Sequence, residues 1–120
     1  MSNFSVLLFT STDLMEMFEH YKRAFNAKLL WDGRGDAGEL IHVQMDVLGN
    51  GIGLAPAAPH ELAAGNVTVV CLKFRKEKEL RRAYEVLCEG GHGEGLLKLP
   101  WSSLEGYVTD KYGVKWCIGV

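Results

Sequence analysis

The sequence predicts an α+β fold: two βαβββ modules forming a curved mixed sheet around a cleft, with the helices on the outer face. Three observations carry that reading. First, one order of patterns, strand, helix and three strands, runs through residues 1–55 and returns through 66–120. Residues 56–65 between them form a linker with two prolines and four alanines. Second, the apolar face of the first helix recurs at a constant register. Leu14, Phe18 and Tyr21 plus 66 give Leu80, Tyr84 and Leu87, and Phe9 plus 65 gives Phe74, as an internal duplication would produce. Third, each module has one helix, which covers only one face of its strands. The opposite faces are left to curve round a shared cleft, the natural place for a ligand.

The elements follow in order. Phe4 to Phe9 reads as a strand with Val6, Leu7 and Leu8 at its centre. Thr10 to Asp13 is a run of helix-capping residues, and Asp13 followed by Glu16 has the outline of a capping arrangement. Leu14, Phe18, Tyr21 and Phe25 recur at helical spacing, and Asn26 suits a left-handed helix end. Leu29 to Trp31 begins a strand that runs into a turn at Gly33, Gly35 and Gly38. Leu40 to Leu48 is the next strand, and Gly49-Asn50-Gly51 is expected to turn the chain into Ile52 to Ala55. In the second module Val67 to Phe74 is a strand and Lys76 to Glu89 a helix stopped by Gly90-Gly91. Strands near Leu96 to Leu99, Gly106 to Thr109 and Val114 to Val120 close the chain.

The 120 residues can bury roughly two-thirds of the unfolded surface, and 48% of them are apolar against 23% charged. A packed domain is therefore expected rather than disorder. Net charge is −2, and the densest basic stretch, Lys73 to Arg82, is interrupted by Glu77 and Glu79. No basic face for neutralising phosphates is visible, so nucleic acid is not an expected partner. No run of about 20 apolar residues is present, so no membrane span is expected. The N-terminal stretch lacks the form of a signal peptide. Cys71, Cys88 and Cys117 are odd in number and form no CxxC pair, which suggests free thiols and a cytoplasmic location.

Several segments carry a resemblance. HYKRAFNA (20–27), IHVQMDVLGNGIGLAP (41–56), ELRRAYEVLCEGG (79–91) and above all PWSSLEGYVTDKYGVKW (100–116) resemble the vicinal oxygen chelate superfamily. That group includes glyoxalase, bleomycin-resistance and dioxygenase proteins, and the likeness is to its PhnB-like branch. The pattern FYKxAFGA is met with His20 for Phe and Asn26 for Gly. The ending DxxGxxW is met by Asp110, Gly113 and Trp116. The resemblance implies a cleft-bearing protein that binds a small organic molecule, an isomerase or lyase if it is an enzyme. The alternative is a drug- or metabolite-sequestering protein without chemistry, and in either case a homodimer is implied. Metal-using members place His or carboxylate ligands on the first and last strand of each module. Those strands here offer Cys71 and Cys117 as the only plausible donors, so no metal and no other cofactor is expected.

Within that frame the strand Leu40 to Leu48 is the most informative. Alternation puts His42, Gln44 and Asp46 on one face and Ile41, Val43, Met45 and Val47 on the other. The apolar face should meet a helix, so the polar face lines either a wet cleft or open solvent. His42 matches the histidine of the family's MHAEL stretch and is the candidate acid or base. Trp31, at the end of the second strand, either rims the cleft or packs in the core, and Leu54 is placed among the ligand-binding positions. Trp101 and Tyr107 either stack on a ligand or pack at an interface. Cys117 is assigned inward and Trp116 to the helix side, by analogy with the family's ligand position. Asp110 and Gly113 are read as structural turn residues.

Overall fold

The computed structural model describes residues 4–63, 65 and 67–120; residues 64 and 66, at the predicted linker and module boundary, lie outside the described residues. The chain divides into two compact units, Met1–Ala63 and Ala64–Val120. Each holds one α-helix and one four-stranded mixed sheet of the same topology, and the first adds a single 3-10 turn at Pro59–Glu61. No closed barrel occurs among the described residues.

In the first unit β1 (Val6–Thr10) leads to α1 (Leu14–Phe25), followed by β2 (Lys28–Arg34), β3 (Leu40–Val47) and β4 (Asn50–Pro56). The sheet order is β1-β4-β3-β2, with β1 parallel to β4 and the other pairs antiparallel. The helix starts where its capping run predicts. The Asp13 carboxylate accepts from the backbone N–H groups of Met15 (2.8 Å) and Glu16 (3.1 Å), satisfying two donors that the first turn leaves open. It ends at Asn26, whose φ of 55° is the left-handed cap. Its apolar stripe, including Met17, Phe18 and Tyr21, packs on Val43, Met45, Ile52 and Leu54, all buried.

The β3–β4 turn lies one residue earlier than expected. Val47 pairs with Asn50, so the two-residue loop is Leu48-Gly49 and not the Gly49-Asn50-Gly51 run. Both loop residues have positive φ, 53° and 87°, as a tight hairpin that follows the strand twist requires. Asn50 leaves the loop to begin β4, and its side-chain amide donates back to the carbonyls of Val47 and Leu48.

The second unit repeats the plan with β5 (Val70–Lys73), α2 (Glu77–Cys88), β6 (His92–Leu99), β7 (Ser102–Thr109) and β8 (Lys115–Gly119), in the order β5-β8-β7-β6. The 66-residue register is visible in the packing. Leu14, Met17 and Tyr21 of α1 correspond to Leu80, Ala83 and Leu87 of α2, and all six are buried. Tyr84, the counterpart of Phe18, is only half-buried, because its hydroxyl accepts from the Gly95 N–H (2.8 Å) at a bulge in β6. The β6 strand starts four residues before its sequence-based limit. Gly93 makes that possible, since a Cβ there would fall 2.3 Å from the Tyr84 hydroxyl and 2.6 Å from the Cys88 sulfur. Glycine at such a spot marks close approach of a neighbouring element rather than a loop.

The DKYG turn is built as its residues suggest. One Asp110 carboxylate oxygen accepts from the N–H groups of Tyr112 (2.9 Å) and Val114 (3.0 Å). The other accepts from the buried Trp116 indole N–H (2.9 Å).

Candidate functional site

The face of the first sheet turned away from α1 brings four of the predicted residues together. Strand alternation buries Val43, Met45 and Val47 beneath the helix and leaves His42, Gln44 and Asp46 half-buried on the other side. Trp31 reaches that side through a bulge. Lys28 faces Asp46 and Trp31 faces Gln44 across the β2–β3 ladder, with a register shift between Leu29 and Trp31. Plain alternation from Lys28 would have presented Leu30; the extra residue aims Trp31 at His42 instead. The two rings then stack, with centroids 4.7 Å apart and planes 12° from parallel.

Two further contacts hold the imidazole. His42 Nε2 donates to Gln44 Oε1 at 2.8 Å, because a carbonyl oxygen can only accept. That bond keeps the proton on Nε2 and leaves the Nδ1 lone pair as the base. The ring edge lies against β4 at Gly53, where an added Cβ would come within 2.9 Å of His42 Cε1, 3.0 Å of His42 Nε2 and 3.0 Å of Leu7 Cδ1. The seat therefore exists because residue 53 has no side chain. Leu7 and Phe9 of β1 border it with exposed apolar surface. Sequence reasoning missed Gly53, Leu7 and Phe9. A glycine inside an otherwise apolar strand was the available signal.

Leu54 does not belong to this face. It is fully buried and pairs with Leu8 and Val43, which lie under the helix, so it is a core residue.

In the second unit the face away from α2 carries Tyr107 and Cys117. They are direct neighbours across the β7–β8 ladder, and Cys71 faces Cys117 on β5. Trp116, one residue before Cys117, is fully buried on the helix side, as assigned. Burial pushes the Cys117 thiol above its ordinary range, and the Glu105 carboxylate adds to the shift. Negative charge on the Cys117 sulfur is the main cause that raises the Tyr107 phenol. The Lys115 ammonium lies 5.4 Å from the centre of the Tyr107 ring. Trp101 stands at the β6–β7 turn, 69% exposed, and its indole N–H reaches a Glu105 carboxylate oxygen at 3.4 Å.

A divalent ion of the vicinal oxygen chelate type does not fit these strands. Away from the helices, β1 offers Leu7 and Phe9, β4 offers Gly53 and Ala55, β5 offers Cys71 and Lys73, and β8 offers Cys117 and Gly119. None is a histidine or carboxylate. Among the described residues no group of three or more His, Cys, Asp and Glu side chains is placed to hold a metal. No helix among them is long and apolar enough to cross a membrane.

The paired βαβββ units define the fold of the vicinal oxygen chelate superfamily, as the sequence resemblance implied. Solved structures share it over nearly the whole chain. A PhnB protein from Bacillus cereus aligns with a TM-score of 0.83 at 20% identity, covering 98% of both chains. A glyoxylase/bleomycin resistance protein/dioxygenase domain from a Frankia species gives 0.73 at 17%, covering 100% of this chain and 98% of that one. The fosfomycin resistance protein FosX from Mesorhizobium loti gives 0.70 at 13%, covering 100% and 92%. No family model matches the sequence, and no curated protein does.

Proposed function

We propose that this protein binds a small organic molecule on the sheet face centred on His42, and that His42 acts there as a general base and acid in a lyase or isomerase reaction. The observation that carries the reading is the imidazole held on three sides, by the Trp31 ring, the Gln44 carbonyl and the Gly53 seat. A histidine that only filled space would not need its tautomer set. Trp31, Leu7 and Phe9 supply the flat and apolar contacts that small-molecule sites favour, and Gln44 and Asp46 supply polar ones. In the second unit, taken by itself, Trp101, Tyr107 and Cys117 are the proposed ligand contacts. The chemistry needs no metal, because the proton moves between substrate and Nδ1.

The test is a ligand screen followed by two variants. Trp31→Ala should abolish binding of a ligand that quenches tryptophan fluorescence. His42→Ala should retain binding and lower kcat by about 100-fold or more, with turnover of the native protein indifferent to chelators. Recovery of unchanged ligand from native protein would favour the second reading, sequestration, for which the stacked Trp31 is equally suited. Both readings place the protein in the cytoplasm, in keeping with its three free cysteines.

A further inference from the structure

One row of residues crosses the open face of the second sheet with no side chain at its middle. Lys73 on β5 and Glu105 on β7 both stand directly opposite Gly119 on β8, one from each side. Residues opposite each other in a ladder project from the same face, so a cation and a carboxylate flank a bare position. A cavity of about 190 Å³ opens there, walled by Cys71, Cys117 and Ser102 as well as by the charged pair. The chemistry proposed for His42 uses neither charge.

The two charges do not satisfy each other. Their backbones lie two strand spacings apart, roughly 10 Å, and among the described residues neither side chain enters an ion pair. The Glu105 carboxylate is aimed at the gap instead. Its Oε2 accepts from the Trp101 indole N–H at 3.4 Å. Its Oε1 lies 3.3 Å from where a Gly119 Cβ would stand, and Ser102 Oγ lies at the same distance. The Ser102 hydroxyl commits its one proton to the carbonyls of Leu104 and Val120, both 3.0 Å away, so only its lone pairs remain for a ligand. Two acceptors and no donor therefore meet over Gly119, which suits an ammonium. Lys73, across the row, presents donors alone, which suit a carboxylate.

We propose that the row Lys73–Gly119–Glu105 binds a small zwitterion of the α-amino acid kind, its ammonium on Glu105 and Ser102 and its carboxylate on Lys73. Charge-assisted hydrogen bonds of about 2.8 Å at either end, with the short ammonium-to-carboxylate span between them, bridge the gap that the two side chains leave. A ligand with a single charge meets its own sign on one side of the row, and a neutral ligand leaves both charges unpaired. Selection is therefore for the two charges together. The next row along the face holds Cys117 and Tyr107, an uncharged wall for an apolar ligand side chain. Burial first and the Glu105 carboxylate second raise the Cys117 thiol, which stays neutral. The assignment rests on the reading of Tyr107 and Cys117 as ligand contacts, and it names the class of ligand they receive.

Calorimetric titration of the full chain with L-leucine and its isosteres tests the proposal. 4-Methylpentanoate lacks the ammonium, 3-methylbutylamine lacks the carboxylate, and 4-methylpentanamide lacks both charges. Leucine should bind about tenfold or more tightly than any of these, because hydrogen bonds to charged groups are the strong ones. Glu105→Gln and Lys73→Met should each weaken leucine by about tenfold or more. Gly119→Ala, which fills the middle of the row and keeps both charges, should weaken it too. Folding is checked by circular dichroism, and Lys73→Met, at an exposed position, decides the matter if either other variant fails to fold. No binding of leucine in the millimolar range, equal affinity for an isostere, or unchanged affinity in Lys73→Met would each overturn the proposal. If 4-methylpentanamide binds as tightly as leucine and Tyr107→Ala abolishes both, the charged pair falls while the ligand contacts stand. Leucine binding that survives Tyr107→Ala but needs Lys73 and Glu105 upholds the pair and removes the Tyr107 contact. The readout is binding alone, so it does not depend on turnover at His42.

Discussion

Gly53 and His42 act as one unit, although they are on different strands. Any Cβ at position 53 meets the imidazole at 2.9–3.0 Å, tighter than ordinary contact. Gly53→Ala should push the ring out from under Trp31, and proton NMR should show the His42 ring protons losing the upfield shift that stacking imposes. Turnover should fall with them, while stability should drop by about 1–3 kcal/mol from overpacking. Cys117 gives a second prediction at this scale. Its thiol is raised above the ordinary range in the fold, so the neutral form is favoured there. That contribution to stability is complete below the unfolded thiol's pKa and is lost as pH rises through the folded one. Alkylation of Cys117 should accordingly stay slower than that of a free thiol through neutral pH and accelerate only above the usual cysteine range, as peptide mass mapping over a pH series would show.

Two turns carry predictions at the scale of the elements. Leu48 occupies a left-handed conformation that costs a β-carbon-bearing residue roughly 1–2 kcal/mol and that asparagine tolerates far better. Leu48 is also 40% exposed, so little packing is lost on replacement. Leu48→Asn should raise stability by about 1 kcal/mol, read as a higher denaturant midpoint at unchanged slope. The β7–β8 turn is the opposite case. Asp110→Ala removes the acceptor of two backbone donors and of the buried Trp116 indole. A loss of about 3 kcal/mol is expected, because buried donors deprived of a charged acceptor are costly. Asp110→Asn should recover part of it. These residues were readable as turn-formers, but the indole bond was not, because it joins positions that meet only when β8 is paired.

Across the whole molecule, large apolar side chains lie at the surface, among them Leu29, Leu30 and Ile41 on the first sheet. Contiguous apolar surface marks interaction sites, and a pair of chains is proposed on that ground. Sedimentation should give twice the 13.3 kDa chain mass. The net charge of −2 leads to the last expectation, no retention on duplex DNA at about 0.15 M salt, since binding there rests on neutralising phosphates.

The sequence by itself determined the elements that local chemistry dictates. The α1 caps at Asp13 and Asn26, the alternation that puts His42, Gln44 and Asp46 on one face, the 66-residue echo between the helices and the DKYG turn were all legible. Each depends on residues within one element or one turn. Tertiary structure alone decided the rest. The β2 bulge moved Trp31 onto His42, pairing buried Leu54 beneath the helix, Gly53 opened a seat for an imidazole eleven positions away, and parallel register set Cys71 opposite Cys117. A one-residue shift in a ladder turns a side chain to the other face, and that register is settled between strands, by packing and hydrogen bonding that no single segment contains.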